Sequence, residues 1–283
     1  LQALVECGVK VDSVSYDGRT ALLVAAREGL VNGISTLLAA GADIGARGCK
    51  GHNALRLATF GGHLQVVQAL LAAGCDVNSR CNAKGATALH IAASKADTAI
   101  IDALVAAGAD CAAADSQGRS PLAWAARYER TKAVRRLLEL GAPVDASALT
   151  EAVGTRSRRP LSALLTAVGR KAPNLPGVGA AVGAAATSGH FDNLTALLSA
   201  GLPVDVKDSE GRTALMCAAG SYWYISVEGV QSLLAAGASV NERDDQGRTT
   251  LMCAARSRGI RAAEVIEVLS AAGACADERD RHG

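Results

Sequence analysis

Large side chains are scarce in this chain. Aromatic residues make up only 3 % of 283 residues, while Ala, Leu, Val and Gly dominate. Small apolar side chains let helices approach closely but cannot fill a wide interior. The two ordinary globular domains that the length alone would suggest therefore give way to a thin, elongated core. Charge of one sign is missing too, since 29 Lys and Arg face 27 Asp and Glu. A surplus that small gives no electrostatic argument for nucleic acid or an anionic membrane. No apolar run approaches the roughly 18 residues of a spanning helix, which argues against membrane insertion. Absent as well are GxSxG, HExxH and P-loop sequences. Leu1-Gln2-Ala3-Leu4-Val5-Glu6 has no basic stretch ahead of an apolar one, and the eight cysteines lack CxxC spacing. Both features point to reduced thiols in an intracellular, cytoplasmic protein, or in one that is nuclear or delivered into a host cell.

What is present is repetition. Leu37-Leu38-Ala39-Ala40-Gly41 nearly matches Leu70-Leu71-Ala72-Ala73-Gly74, and Gly41, Gly74, Gly108 and Gly141 lie 33, 34 and 33 residues apart. The pattern returns at Gly201, Gly237 and Gly273 with a spacing of 36. A second element follows most of these glycines: Asp17-Gly18-Arg19-Thr20, Gly118-Arg119-Ser120-Pro121, Gly211-Arg212-Thr213 and Gly247-Arg248-Thr249. Each copy reads as a Gly-centred turn and a Thr or Ser cap opening a short helix. A second helix follows, apolar at Ile34, Leu37 and Leu38 or at Val67, Leu70 and Leu71, and a glycine closes it. One such unit cannot bury its own apolar stripe, whereas stacked units can.

With Thr87-Ala88-Leu89-His90, Ser120-Pro121-Leu122, Gly62-His63 and Gly189-His190, the pattern resembles the ankyrin repeat. The resemblance implies an all-α ankyrin-repeat solenoid, helix-turn-helix units joined by β-hairpin-like turns, in an elongated curved array of about seven to eight units. One ankyrin domain is expected over 1–283. It would comprise a partial unit at 1–15, four regular units at 16–146 and two degenerate units at 147–206. Two units with inter-helix insertions at 207–276 and the start of another at 277–283 would complete it. In the first degenerate unit Asp145-Ala146-Ser147 runs into a helix expected from Ala148, with the next beginning near Pro160. A soft joint is expected near 155–177. Leu1 falls where a second helix should begin and Gly283 at a turn glycine, so the expectation is a segment of a longer array.

Several constellations have plain structural readings. Gly177-Val178-Gly179-Ala180-Ala181-Val182-Gly183 imitates a phosphate-binding turn, but no strand precedes it and the register assigns it to a first helix. Cys49, Cys75, Cys81 and His52 do not match a zinc spacing. Cys217 and Cys253 occupy one helical place in adjacent units and read as buried thiols. His63, His90 and His190 match the family's structural histidines. No catalytic residue, metal or cofactor is therefore expected, and the chain does not read as an enzyme.

The resemblance implies partner binding through turn tips and exposed first-helix ends along a concave face. Arg19, Arg119 and Arg248 stand at tips, as do Lys50, His52 and Lys84. Arg27, Glu28, Phe60, Lys95, Arg127, Tyr128 and Arg256 stand at helix ends, and Tyr222-Trp223-Tyr224 form an aromatic insertion that is a further contact candidate. The expected partner of this monomer is another protein, met through an acidic or phosphorylated segment. The expected function is an interaction scaffold or adaptor. The alternative is a recognition or targeting arm of a larger enzyme, channel or bacterial effector whose activity lies outside this segment.

Overall fold

The computed structural model describes residues 10–80, 84–169, 177–188, 191–221, 227–257 and 261–281. These residues form sixteen α-helices, with no named strand among them. The chain divides into two compact units, Leu1–Pro143 and Val144–Gly283. Unit 1 holds four helix pairs: α1 (Ala21–Glu28) and α2 (Val31–Ala39), α3 (Ala54–Gly61) and α4 (Leu64–Ala72), α5 (Ala88–Lys95) and α6 (Thr98–Ala106), α7 (Pro121–Arg127) and α8 (Thr131–Glu139). Unit 2 holds α9 (Ala146–Val153) and α10 (Arg158–Val168), α11 (Val178–Thr187) and α12 (Phe191–Ser199), α13 (Ala214–Ala219) and α14 (Val227–Ala235), α15 (Thr250–Arg256) and α16 (Ala262–Ala271).

The first helix of each pair begins at a side-chain cap, except α11, which Gly177 precedes. The Thr20, Asn53 and Ser120 oxygens accept from the N–H three residues on, at 3.4, 2.9 and 3.1 Å. Thr87 and His90 form a reciprocal capping box, which satisfies two otherwise orphaned groups. α9 starts two residues before the expected Ala148, because the Asp145 carboxylate caps it, accepting from the Ala148 N–H at 2.7 Å. Every second helix ends at one of the seven spaced glycines except α10, and all seven have φ between 79° and 89°, a conformation that costs glycine nothing.

The turn inside each pair of unit 1 uses the same left-handed conformation. Gly29 and Gly62 supply it at φ 75° and 76° after α1 and α3, whereas after α5 Ala96 is forced to φ 62°. A Cβ in this region is penalised by about 1–2 kcal/mol, partly offset by the greater unfolded-state freedom of glycine. Ala96→Gly should therefore raise the unfolding free energy by about 0.5–1 kcal/mol, read from urea denaturation; a loss of stability would show that the left-handed cap is not strained.

Packing follows the sequence order. Within each unit a first helix lies against the first helix of the next pair, so its apolar residues are covered on two sides. α5 buries Ala88, Leu89, His90, Ile91, Ala92 and Ala93. The second helices bury a single stripe, such as Val66, Val67 and Leu70 on α4 or Ala133, Val134 and Leu137 on α8. Leu38 and Leu71, expected in that stripe, are only half-buried, because they turn toward the outer flank. Each fully buried Leu contributes about 1.5–3 kcal/mol, so the thin core depends on neighbours stacking.

The turns between pairs close by backbone bonds: Ser15 N–H to Arg19 C=O at 2.9 Å, Asp115 to Arg119 at 2.9 Å and Asp244 to Arg248 at 3.1 Å. They are hairpin-like, with one isolated antiparallel bridge, Arg243 to Thr249. Asn78 and Asn241 tie successive turns by donating to the Gly108 and Gly273 carbonyls and accepting from the Asp110 and Cys275 N–H groups. The division into units falls at Pro143/Val144, ahead of the joint expected at 155–177, of which residues 170–176 lie outside the described ones. Inside unit 2 the buried Asn193 of α12 donates to the Val153 and Thr155 carbonyls at 3.0 and 2.9 Å. It ties down the end of α9 despite the degenerate repeat.

Candidate functional site

The arginines that follow the turn glycines are largely committed to their own turns. In Asp115-Ser116-Gln117-Gly118-Arg119, Asp115 Oδ1 accepts from the Gln117 and Arg119 N–H groups at 2.8 and 3.0 Å. Its Oδ2 accepts from Arg119 Nε and Nη2 and from Trp124 Nε1, at 3.0, 2.8 and 2.9 Å. Burial pushes the Asp115 pKa up, but these bonds, led by the Arg119 guanidinium, hold it well below the ordinary 3.8. Asp208 with Arg212 and Asp244 with Arg248 repeat the arrangement. Arg119 and Arg248 are thus mostly buried in ion pairs, with side chains 13 % and 17 % exposed. Arg19 pairs with Asp17 at 3.0 Å.

Two histidines hold neighbouring repeats together. His90 Nδ1 accepts from the Thr87 N–H at 3.2 Å, which leaves Nε2–H to donate to the Arg119 carbonyl at 3.0 Å. Burial pushes its pKa below 6.5, in keeping with this neutral tautomer. His63 Nε2–H donates to the Arg27 carbonyl at 2.9 Å. Its ring occupies the space that a Cβ on Gly29 would need, 2.6 Å from Nδ1. Arg130 does the same service for the last pair of unit 1, its Nε donating to the Ser94 carbonyl at 2.9 Å. His190 lies outside the described residues.

A groove of about 930 Å³ opens in unit 1 across the turns and first helices of its last three pairs. Its cations are the guanidiniums of Arg47, Arg56, Arg80 and Arg130 and the ammoniums of Lys50, Lys84 and Lys95. Phe60, Trp124 and Tyr128 bring rings to the same wall, and among the described residues no carboxylate lines it. Trp124 is set edge-on to His90, with ring centroids 5.5 Å apart, and tilted against Tyr128 at 6.0 Å. Lys95 Nζ stands 4.1 Å above the Phe60 ring, an attraction worth about 0.5–1 kcal/mol at an exposed site. Phe60 and Tyr128 remain 55 % and 47 % exposed, so the rings are open to a ligand.

A second groove of about 510 Å³ shares His52, Arg56 and Phe60 with the first and continues to Arg19, Arg27 and Glu28. Arg27 and Glu28 form an exposed pair at 3.7 Å, worth little by itself. Burial, then the nearby charges of Arg56, Lys50 and Arg19, lower the pKa of His52 below 6.5.

Of the residues singled out from the sequence, the structure brings Arg19, Arg27, Glu28, Phe60, Lys95 and Tyr128 to these two connected grooves. Arg119 is held in its turn, and Arg127 ends α7 without lining either groove. Arg248 and Arg256 belong to unit 2, where they line a smaller pocket of about 270 Å³ with Arg212, Cys217 and Cys253. Tyr222, Trp223 and Tyr224 lie outside the described residues, as does Cys81. Arg47, Arg56, Arg80 and Arg130 were not singled out. Their common signal is a cation in a turn or at the start of a helix, which sequence alone does not separate from a solvated surface.

The remaining constellations resolve simply. Cys217 and Cys253 are free and half-buried rather than fully buried. Desolvation raises both thiol pKa values, that of Cys217 to about 11, so they are protonated at neutral pH. Cys75 is raised likewise to about 11, and Cys49 Sγ donates to the Asp17 carbonyl at 2.7 Å. Among the described residues no three His, Cys, Asp or Glu side chains gather as a metal site. The glycine-rich segment is helix α11 from Val178 onward, as its register required. No described helix is long and apolar enough to cross a membrane.

The family model for ankyrin repeats matches the chain at residues 1–81, 55–148 and 182–280. No curated protein matches it. Ankyrin repeats are generally protein–protein interaction modules and are typically non-catalytic. The capped helix pairs, the left-handed glycines that close them and these matches over most of its length make the chain a member of the ankyrin-repeat family.

Proposed function

We propose that this chain is an interaction scaffold or adaptor that holds a partner protein against the turn tips and first helices of unit 1, through an acidic or phosphorylated segment of that partner. The observation that carries the reading is a groove lined, among the described residues, by seven cations, three aromatic rings and no carboxylate in a chain whose net charge is only +2. A positive patch steers an anionic partner and selects against cationic ones. Aromatic and Arg side chains are the types that dominate interface energies. Lys50, Lys84 and Lys95 are exposed, so reversing their charge spares the core.

The test compares the native chain with Lys50→Glu, Lys84→Glu, Lys95→Glu by affinity capture from a cell lysate, with circular dichroism to verify folding. Proteins with acidic or phosphorylated segments should be retained by the native chain, released as salt rises, and bound at least tenfold more weakly by the variant. Identical retention by both proteins would overturn the reading.

A further inference from the structure

Repeats within one chain act as controls for each other, and they separate cations the fold needs from cations it does not. Arg47 donates through Nη1 to the Arg80 carbonyl at 2.7 Å, and Arg80 through Nη1 to the Ala114 carbonyl at 2.9 Å. Lys207 and Arg243 in unit 2 do the same, reaching the Arg243 and Arg279 carbonyls at 2.9 Å each. A cation at this place is therefore a structural clasp between turns. Its charge is treated differently in the two units. Glu242, just before Arg243, pairs with Lys207 at 2.9 Å, and Glu278, just before Arg279, pairs with Arg243. Ser79 and Ala113 stand at the matching places in unit 1, and Arg47 reaches the Ser79 hydroxyl at 2.8 Å instead of a carboxylate.

The residue before each turn glycine gives a second, independent comparison. It is Asp17, Gln117, Glu210 and Gln246 in four turns but Lys50 and Lys84 in the two that face the groove. Neither a clasp nor a turn requires lysine there. The aspartate of the Asp-x-x-Gly-Arg turn, present as Asp115, Asp208 and Asp244, is also missing from these two turns, which carry Gly48 and Asn82 in its place, as it is from the first turn, which carries Ser15. The turns that supply the groove's cations thus hold no carboxylate at any of these three kinds of position.

The cations form rows with a fixed step. Arg47 and Arg80 occupy one repeat position and Lys50 and Lys84 another, 33 and 34 residues apart. Packed helices of successive repeats stand about 8–10 Å apart, and an extended chain in the polyproline II conformation rises about 3.1 Å per residue with three residues to a turn, so that every third side chain faces the same way. One repeat step is therefore matched by three residues of an extended ligand. A helix 10–12 Å wide laid over the two steps that the groove spans would fill at least about 1,300 Å³. The groove holds about 930 Å³, so a helix would stand partly out of it, where a slimmer extended chain can lie along the cations.

We propose that the basic groove of unit 1 takes an extended, polyproline II-like segment of a partner protein whose acidic side chains fall at every third residue, one to each repeat, with Phe60 toward one end of the row and Tyr128 toward the other each open to an apolar side chain of that segment. This rests on the reading that the groove binds an anionic partner segment, and adds the conformation and spacing of that segment.

The experiment titrates the whole 283-residue chain into three fluorescent peptides of identical composition and charge, at low ionic strength, by anisotropy. One carries three Glu residues at every third position around a single Tyr, one carries them as a block, and one is a cross-linked helix with Glu residues seven apart. The every-third peptide should bind about tenfold more tightly than either alternative, and its advantage should vanish in the Lys50→Glu, Lys84→Glu variant. Preference for the cross-linked helix would overturn the extended conformation. Equal affinity for all three, lost in the variant, would overturn the spacing while leaving the anionic groove intact. Affinities unchanged by charge reversal would overturn both.

Discussion

Asp115→Ala should lower the unfolding free energy of unit 1 by about 3–5 kcal/mol, the range for removing one partner of a buried ion pair. The Asp115 side chain is fully buried and Arg119 is 13 % exposed. The loss would take the buried carboxylate away from the Arg119 guanidinium and the Trp124 Nε1–H, both bonded to Oδ2. Arg119 also presents the carbonyl that His90 Nε2–H holds, so slackening this turn loosens the capping box of α5 one repeat away. Urea denaturation measures the total, and hydrogen exchange should place the lost protection in α5 and α7. Asp244→Ala in unit 2 is the comparison. Its carboxylate serves the same turn groups and Arg248, but no tryptophan, and the cost should be smaller. A change under about 1 kcal/mol for Asp115→Ala, the worth of one ordinary hydrogen bond, would contradict this account.

The same group fixes a pH dependence. The native pKa of Asp115 lies below the ordinary 3.8, so the unfolded chain takes up its proton first on acidification. The stability due to this carboxylate is complete above about pH 4 and drains away as the pH falls toward the native value. The Ala variant has none of it to lose. The stability gap between native chain and variant should therefore narrow steadily below pH 4, when both are measured by urea denaturation.

These turns illustrate what sequence could and could not reveal. Gly118-Arg119 was recognisable as a recurring turn, and Thr20, Ser120 and Thr213 as caps, because each depends on neighbours within three or four residues. The burial of Ile34 and Leu37 followed from period 3.6. Whether an arginine was available to a ligand depended on a carboxylate elsewhere in the turn, and that distinguishes Arg119 from Arg80. The groove itself was legible only in part. Phe60, Lys95 and Tyr128 were reachable by repeat register, but their meeting with Arg47 and Arg80 is a contact between different repeats, and no local pattern encodes it. Arg27, Arg127 and Arg256 hold related helix-end positions, yet one pairs with Glu28, one lines neither groove, and one belongs to the other unit. Position in a repeat is a matter of periodicity, whereas a field is a sum over neighbours.

Gly179→Ala should be the second severe substitution, and Gly183→Ala, one helical turn later, a mild one. Both glycines lie on the face of α11 that meets the next repeat, four residues apart. A Cβ at Gly179 would lie 2.6 Å from the Lys207 carbonyl carbon and 3.0 Å from the Asp208 amide nitrogen. Backbone cannot swing aside as a side chain can, and overpacking costs about 1–3 kcal/mol, occasionally more. Here the displaced segment begins the turn in which Asp208 holds Arg212, so a cost of about 3 kcal/mol or more is expected. At Gly183 the nearest atom would be Cys217 Sγ at 3.2 Å. A thiol can yield by a few tenths of an ångström, and alanine gains about 0.5–1 kcal/mol over glycine inside a helix. Gly183→Ala should then fall within about 1 kcal/mol of the native stability, and adding Cys217→Ala should bring out the helical gain by removing the contact. Thermal and urea unfolding of the two single variants and the double variant would settle the matter. If Gly179→Ala proved as mild as Gly183→Ala, the glycines would be dispensable to the close approach of α11 and the following turn. The severe loss instead explains why a stretch that imitates a phosphate loop is glycine-rich: it lets a backbone come near, and that backbone is the protein's own.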